Sequence, residues 1–364
     1  MARIAIIPGD GVGTEVMAEA QRVLRVLETD PALALGWDVL PLGAERYLEE
    51  GTSLTDEEFR SLEEDYDAIL LGALGDPRVP GNEHARDILL GLRFRLDLYI
   101  NYRPCRLLHP SLSPLVDGGD RPMDVHIFRE NTEGHYLGGG SVAREGTPHE
   151  VAVAQDLNTR RGVERIIRAA FEFARARDLA ALTMVDKANA IPGPGRLWRR
   201  TLRDVAEEFP EIQAKAMYVD AMAMDLIRNP DLHRVIVTSN LFGDILSDEA
   251  AALTGGMGLA PSANLNPGRH ALFEPVHGSA PDIAGQGWAN PVAAIRCVAL
   301  LMENLGREDL AQAVEDAVAH VTARGIKTPD LGGEATTSEV GDRVAARLAR
   351  ALDTSGDVIQ PRGA

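Results

Sequence analysis

Apolar residues fall along this chain in two rhythms. Short consecutive runs such as Ile4-Ala5-Ile6-Ile7 read as buried strands, and longer stretches with apolar positions three and four apart read as helices. The two alternate: Arg3 to Ile7 precedes Thr14 to Glu28, Asp67 to Leu71 precedes Ala85 to Arg95, and Asp124 to Arg129 precedes Thr159 to Ala174. This alternation predicts an α/β fold with a largely parallel sheet and crossover helices. Residues 138–148, rich in glycine and polar side chains, predict a projecting loop or hairpin arm. Between the first strand and helix lies Gly9-Asp10-Gly11-Val12-Gly13-Thr14. The third glycine of a dinucleotide fingerprint would fall on Thr14, so the segment reads as a tight strand-to-helix turn.

At 364 residues and 45% hydrophobic the chain can bury a full core, and two domains are expected. A net charge of -18 opposes binding to nucleic acid or to anionic membranes, so an anionic ligand needs a local basic pocket. No apolar run is long enough to span a bilayer. With two cysteines, Cys105 and Cys297, and no charged-then-apolar leader ahead of Ile4, a cytoplasmic location is expected. Of 37 basic residues only Lys187, Lys215 and Lys327 are lysine. Arginine does not release a proton at accessible pH, so a lysine is the residue to inspect where an amine must act as base.

Candidate chemistry begins with Asp244 and Asp248 in Leu241-Phe242-Gly243-Asp244-Ile245-Leu246-Ser247-Asp248. The segment follows the strand-like run Arg234 to Thr238 and its apolar spacing is helical, so the carboxylates share a face one turn apart. Such a pair is commonly a solvated helix face. A third carboxylate, Asp220, lies among Val219, Ala221, Met222 and Met224, where an unpaired charge would be costly to bury. Three carboxylates without neighbouring His or Cys suit Mg²⁺ or Mn²⁺ and not zinc.

Arg93, Arg95, Arg103 and Arg106 crowd a short region, Arg103 and Arg129 come at the ends of apolar runs, and arginine forks match carboxylates. Tyr136 closes Glu133-Gly134-His135-Tyr136, and Lys187 follows the strand-like Leu182-Thr183-Met184. A glycine-containing stretch, Glu274-Pro275-Val276-His277-Gly278-Ser279-Ala280-Pro281-Asp282-Ile283-Ala284-Gly285, lets backbone N–H groups approach a phosphate. Asp282 would accept from both ribose hydroxyls and favour NAD over its 2′-phosphorylated form.

From Ile7-Pro8-Gly9-Asp10-Gly11 to Lys327-Thr328-Pro329-Asp330, and most specifically over Asn240–Asp248 and His277–Gly285, the sequence resembles the β-decarboxylating dehydrogenases. Members of that family act on isopropylmalate, isocitrate, homoisocitrate and tartrate or D-malate. The resemblance implies a two-domain fold with a large mixed, mostly parallel sheet that is not a Rossmann fold. It places a discontinuous cofactor domain at 1–98 and 255–364, and a smaller domain at 99–254 carrying the arm, the dimer interface and the metal and substrate residues. It further implies a homodimer with shared active sites. Asp244 and Asp248 would hold the metal with Asp220 of the partner subunit, which is also counted with the catalytic residues. Arg93, Arg103 and Arg129 would clamp the malate carboxylates. Lys187, reaching across the dimer, would help to remove the 2-hydroxyl proton, and Tyr136 would protonate the substrate carbon. NAD would lie on His277, Gly278, Ser279, Ala280, Asp282, Ile283 and Asn290, with Asn189 near the nicotinamide.

The helix before Arg93 is expected to read the group on C3. Serine and arginine there would meet the extra carboxylate of isocitrate-type and homoisocitrate-type substrates; Leu89 and Leu90 offer apolar surface instead. Oxidative decarboxylation of 3-isopropylmalate to 2-oxoisocaproate, as in leucine biosynthesis, is therefore favoured. Arg129–Gly134, Pro261–Pro267 and the Lys327 region resemble the tartrate/D-malate branch, which stays open as the alternative. A non-catalytic regulatory subunit is disfavoured because Tyr136, Lys187 and all three aspartates are present. Two departures from the family pattern stand out, Ile191-Pro192-Gly193-Pro194-Gly195 and Trp288.

Overall fold

The computed structural model describes residues 1–116 and 121–356, the side chains of 354–356 excepted. The chain begins β1 (Ala2–Ile7), α1 (Val12–Leu27), β2 (Leu35–Val39), α2 (Ala44–Glu50), α3 (Asp56–Glu64) and β3 (Ala68–Leu71). A broken helix follows: α4 (Glu83–Ala85), a π-helical turn over Arg86–Leu90, and α5 (Gly91–Arg95). Next come β4 (Ile100–Arg106), β5 (Asp124–Glu130), β6 (Gly140–Ala143), β7 (Val151–Ala154), α6 (Arg160–Ala176) and β8 (Ala181–Asp186). The chain continues through α7 (Pro192–Ala206), β9 (Gln213–Tyr218), α8 (Val219–Arg228), β10 (Val235–Thr238) and α9 (Asn240–Leu253). It ends with β11 (Pro261–Asn266), β12 (His270–Pro275), α10 (Val292–Asn304), α11 (Glu308–Ala323) and α12 (Thr337–Gly356).

One ten-stranded sheet, in the order β2-β1-β3-β12-β11-β4-β5-β10-β8-β9, runs through the molecule. Its two flanks are parallel, β2-β1-β3-β12 and β5-β10-β8-β9. The centre is antiparallel, because β11 and β12 form a hairpin and β4 pairs antiparallel with both β11 and β5. The sheet is thus mixed and mostly parallel, as expected. Residues 99–254 meet residues 255–364 along the β4–β11 ladder, where Tyr102 opposes Ala263.

Local sequence explains the helices. In α6 the buried residues Val163, Ile166, Ile167, Ala170, Phe171 and Ala174 recur at three- and four-residue steps, and the Thr159 side chain accepts from Gly162 N at 3.0 Å to cap the first turn. Helix α10 is buried along nearly its whole length, from Val292 to Met302, with α1 and α11 against it. The continuous helix expected over Ala85 to Arg95 is instead interrupted by the π turn, which closes at Gly91, a poor helix former. Residues 138–148 contribute to a hairpin arm as expected; β6 and β7 pair antiparallel and are exposed along both strands. Among the described residues no helix is long and apolar enough to cross a membrane.

Candidate active site

The floor of the main cleft is the register of two strands. Asn101 in β4 stands opposite Arg129 in β5, and Arg103 lies two residues along, so Arg103 and Arg129 share one face of the sheet. Helix α9 starts directly after β10, which pairs in parallel with β5, and lies across that face. Contact is close: a Cβ on Gly243 would come within 2.6 Å of the Arg129 side chain. This glycine lets the helix bring Asp244 down onto the arginines.

Burying a guanidinium is costly unless it is paired and hydrogen-bonded. Arg129, only 1% exposed, meets both conditions. Its Nε and Nη2 donate to Asn240 Oδ1 at 3.0 and 2.7 Å, and its Nη1 donates to Asp244 Oδ1 at 2.5 Å. Burial and the neighbouring Arg103 charge still depress it, to about 10, although Asp244 opposes them. Arg103 donates to Asn101 Oδ1 at 2.9 Å, Ser247 Oγ at 2.7 Å and Asp248 Oδ1 at 3.2 Å, and lies 3.3 Å from Asp244. The Tyr136 hydroxyl donates to Asp244 Oδ2 at 2.6 Å.

These contacts set the two aspartates apart. Burial alone would lift Asp244, but Arg129, the Tyr136 hydroxyl and Arg103 together hold its carboxyl below the usual range. Asp248 is pushed up, first by burial, with the adjacent Asp244 charge adding to it against the pull of Arg103. Burial and the bond to Asp244 raise Tyr136, which keeps its proton.

Around this floor a cleft of about 360 Å³ gathers Leu89, Leu90, Arg93, Arg103, Arg129, Tyr136, Asp244, His277 and Gly278. Nine residues singled out from sequence therefore line one space. Asp248 joins them through Arg103 and its place one turn beyond Asp244. Carboxylate oxygens with no His or Cys among them fit a hard divalent cation. Among the described residues of one chain, however, no group of three or more His, Cys, Asp or Glu is placed to hold a metal.

Asp220, the third carboxylate singled out from sequence, lies apart from the other two in its own chain. It is neither buried nor unpaired, contrary to the expectation from its apolar neighbours: it sits in the exposed first turn of α8 and contacts Lys187 Nζ at 2.7 Å. That lysine, and then backbone N–H groups at the helix start, hold its carboxyl below the usual range. Neither Lys187 nor Asp220 lines the cleft of their own chain, and Asn189 is exposed in the turn after β8.

The second loop lies against the first. Ser279 O accepts from Val12 N at 2.9 Å, and a Cβ on Gly11 would stand 2.1 Å from that same carbonyl. Only glycine fits there, with φ 53°. The Gly9–Thr14 turn thus supports the His277 loop. His277 Nδ1 contacts Gly278 O at 3.0 Å, while Nε2 is buried without a partner among the described residues, and burial keeps the ring neutral at ordinary pH. An unpartnered buried nitrogen beside small-residue backbone fits a polar ligand such as a dinucleotide. Asp282 is exposed, Ala280 and Ile283 are partly buried, and Asn290 is buried, bonded to Asp330 at 3.0 Å and to Val292 N.

Some contributors carry no clear sequence signal. Glu274 contacts Arg93 Nη2 at 2.8 Å, both largely buried in the cleft wall, and Asn240 fixes Arg129. Each depends on a partner more than 100 residues away, which local pattern does not reveal. Arg86 lines the same cleft as Leu89 and Leu90, because the π turn brings all three to one side. The surface expected to read the C3 group is therefore not wholly apolar. Of the two departures, Pro192 begins α7 and Gly195 packs on Ala188, where a Cβ would meet atoms at 2.5 Å; Trp288 is half exposed.

A sequence profile described as isocitrate/isopropylmalate dehydrogenase matches residues 3–344. The chain is 49% identical to a 3-isopropylmalate dehydrogenase of Corynebacterium jeikeium, over 95% of this chain and 99% of that one. It is 47% identical to the 3-isopropylmalate dehydrogenase of Streptomyces coelicolor, over 95% and 98%. Among solved structures, isocitrate dehydrogenase from Methylococcus capsulatus superposes with a TM-score of 0.86 at 35% identity, covering 96% of this chain and 100% of that one. A β-decarboxylating dehydrogenase from Thermococcus kodakarensis, in its apo form, gives 0.81 at 37% identity, with both chains fully covered.

Proposed function

The chain belongs to the isocitrate/isopropylmalate dehydrogenase family, and from that premise we propose that it oxidatively decarboxylates 3-isopropylmalate with NAD and Mg²⁺ or Mn²⁺. The observation that carries the reading is the single cleft in which Arg93, Arg103, Arg129, Tyr136 and Asp244 converge beside Leu89 and Leu90.

In this reading the three arginines take the substrate carboxylates, exchanging their present bonds to Glu274, Asp244 and Asp248 for bonds to the ligand. Asp244 and Asp248, with Asp220 of the partner subunit, would hold the divalent ion. When bound, the ion would supply positive charge beside the substrate's developing negative charge, and NAD would supply the hydride acceptor. Lys187 of the partner subunit takes the hydroxyl proton. Loss of CO₂ leaves the electron pair on C3, and Tyr136, whose proton is firmly held, returns a proton there. His277 to Ile283 and Asn290 form the adenosine side, with Asp282 on the ribose and Asn189 toward the nicotinamide. The cleft lies between lobes at 1–98 with 255–364 and at 99–254.

A second copy is required by this arrangement. Its docking face is the exposed apolar surface of α8 and α9, with Met224 61%, Ile227 49% and Ile245 55% exposed, extended by Val142, Val151 and Val153 on the arm. The enzyme is read as a cytoplasmic homodimer with two buried free cysteines.

Arg86 favours a second reading, in which the C3 group is polar, as in tartrate, or absent, as in D-malate. The test is kcat/KM for 3-isopropylmalate, D-malate, tartrate and isocitrate with NAD and Mn²⁺. Preference for 3-isopropylmalate supports the first reading, and preference for tartrate or D-malate replaces it with the second.

A further inference from the structure

His84, fully buried, occupies the short helix immediately before the turn that carries Arg86, Leu89 and Leu90. Its Nε2 lies 2.8 Å from Asp10 Oδ2, so the ring N–H donates to a carboxylate in the strand-to-helix turn. Asp10 is itself buried and held from several sides. Its Oδ1 accepts from Ala44 N at 2.6 Å, its Oδ2 also accepts from Gly75 N at 2.8 Å, and its own N–H donates to Ala73 O at 2.7 Å. Gly72, Ala73 and Leu74 line the same cleft as Leu89 and Leu90. Two residues beyond Asp10, Val12 N holds the His277 loop through Ser279 O.

The π turn needs such an anchor. Wide turns have poorer internal geometry than α-helix and occur as single turns whose placement depends on their surroundings. Upstream the chain offers only a 3-10 turn over Pro80–Asn82, with Asn82 at φ 50°, and the three-residue α4, so little regular structure fixes where the turn begins. The exposed Glu83 and Asp87 accept from the Tyr47 and Ser53 hydroxyls, each at 2.9 Å, and His84 is the fully buried side chain that ties the start of the turn to the strand-to-helix frame. The tie joins a charged acceptor in a buried site, a bond stronger than an ordinary neutral one.

We propose that His84 is a positioning residue for substrate specificity: through Asp10 it sets the π turn, and hence Leu89 and Leu90, at the depth that fits a substituent on C3 of the substrate. The proposal rests on the reading of the cleft as a 3-alkylmalate site. Its consequence is selective. D-malate has no C3 substituent to meet the turn, so displacing the turn changes its turnover little.

The test compares kcat/KM for 3-isopropylmalate and D-malate in wild type, His84→Leu and His84→Gln, with thermal melting of each. His84→Leu is expected to lower kcat/KM for 3-isopropylmalate about tenfold through KM, while D-malate stays within about twofold. His84→Gln retains an N–H of similar reach and is expected to restore the wild-type ratio. Should His84→Leu not fold, His84→Asn, too short to reach Asp10, takes its place against His84→Gln. An equal loss for both acids, or an unchanged ratio in a folded variant, overturns the proposal. A wild-type chain that turns over neither acid overturns the underlying reading and the proposal together.

Discussion

Arg129 Nη1 and Asp244 Oδ1 stand 2.5 Å apart on the cleft floor, while the Tyr136 hydroxyl bonds the other Asp244 oxygen at 2.6 Å. Groups assigned to substrate, metal and proton transfer thus satisfy one another. In the proposed reading each changes partner when substrate and metal bind, and Asp244 is common to these exchanges.

Asp244→Asn keeps the shape and removes the charge. Wild-type protein is expected to melt at higher temperature with millimolar Mn²⁺, since a ligand that binds only the folded state stabilises it. The variant is expected to lose that shift and to lose kcat/KM by roughly a thousandfold, as several kcal/mol of charge stabilisation disappears. A metal-dependent melting shift that survives in Asp244→Asn contradicts the assignment of this ligand.

Glu274 holds Arg93 in the cleft wall at 2.8 Å and also accepts from Asn264 at 2.9 Å. In Glu274→Gln the guanidinium loses its charge partner in a largely buried site, at a cost of about 2 kcal/mol in stability. The substrate KM is expected to rise more than kcat falls, because Arg93 is assigned to substrate binding in the proposed reading. Urea unfolding and steady-state kinetics measure the two effects separately.

His126 supplies the pH dependence. Burial depresses it to about 4, against the opposing pull of Asp124, from an ordinary value near 6.5. As pH falls, the unfolded chain takes up this proton before the folded chain does. The stabilising contribution, on the order of 3 kcal/mol, is therefore complete above about pH 6.5 and is lost progressively toward pH 4. His126→Asn retains an acceptor for the Tyr102 hydroxyl, which lies 2.8 Å from His126 Nδ1. The variant is expected to show a flatter dependence of melting temperature on pH between 4.5 and 6.5, and an unchanged slope contradicts the assignment.

Asp282 is exposed in the loop assigned to the adenosine ribose. Replacing it with Asn removes a double acceptor and a charge that repels a 2′-phosphate. The KM for NAD is expected to rise about tenfold and discrimination against NADP to fall. Equal cofactor kinetics in Asp282→Asn and wild type would remove the residue from the site.

Much of this was legible in the sequence because it is local. The spacing of Asp244 and Asp248 on a helix after a strand, the small-residue loop at His277 and the exposed arm depend on neighbours in the chain, and each has the predicted conformation. The antiparallel centre of the sheet, the Arg93–Glu274 pair and the Asp10–His84 tie join segments 74 to 181 residues apart for the two side-chain contacts, and no periodicity encodes such partners. The exposure of Asp220 was not legible for a related reason. Apolar neighbours in sequence imply burial, but on α8 some of them, such as Met224, face outward with it.

The shared site is the central claim, and mixed dimers test it most directly. Lys187→Met and Asp244→Asn homodimers are each expected to be inactive. Co-refolded at equal amounts, half of the dimers carry one chain of each kind, and one of the two clefts in each such dimer regains native Asp244 from one chain and native Lys187 from the other. Activity of about a quarter of wild type is predicted from that symmetry. A mixture as inactive as either parent would show that each cleft draws all of its catalytic groups from a single chain.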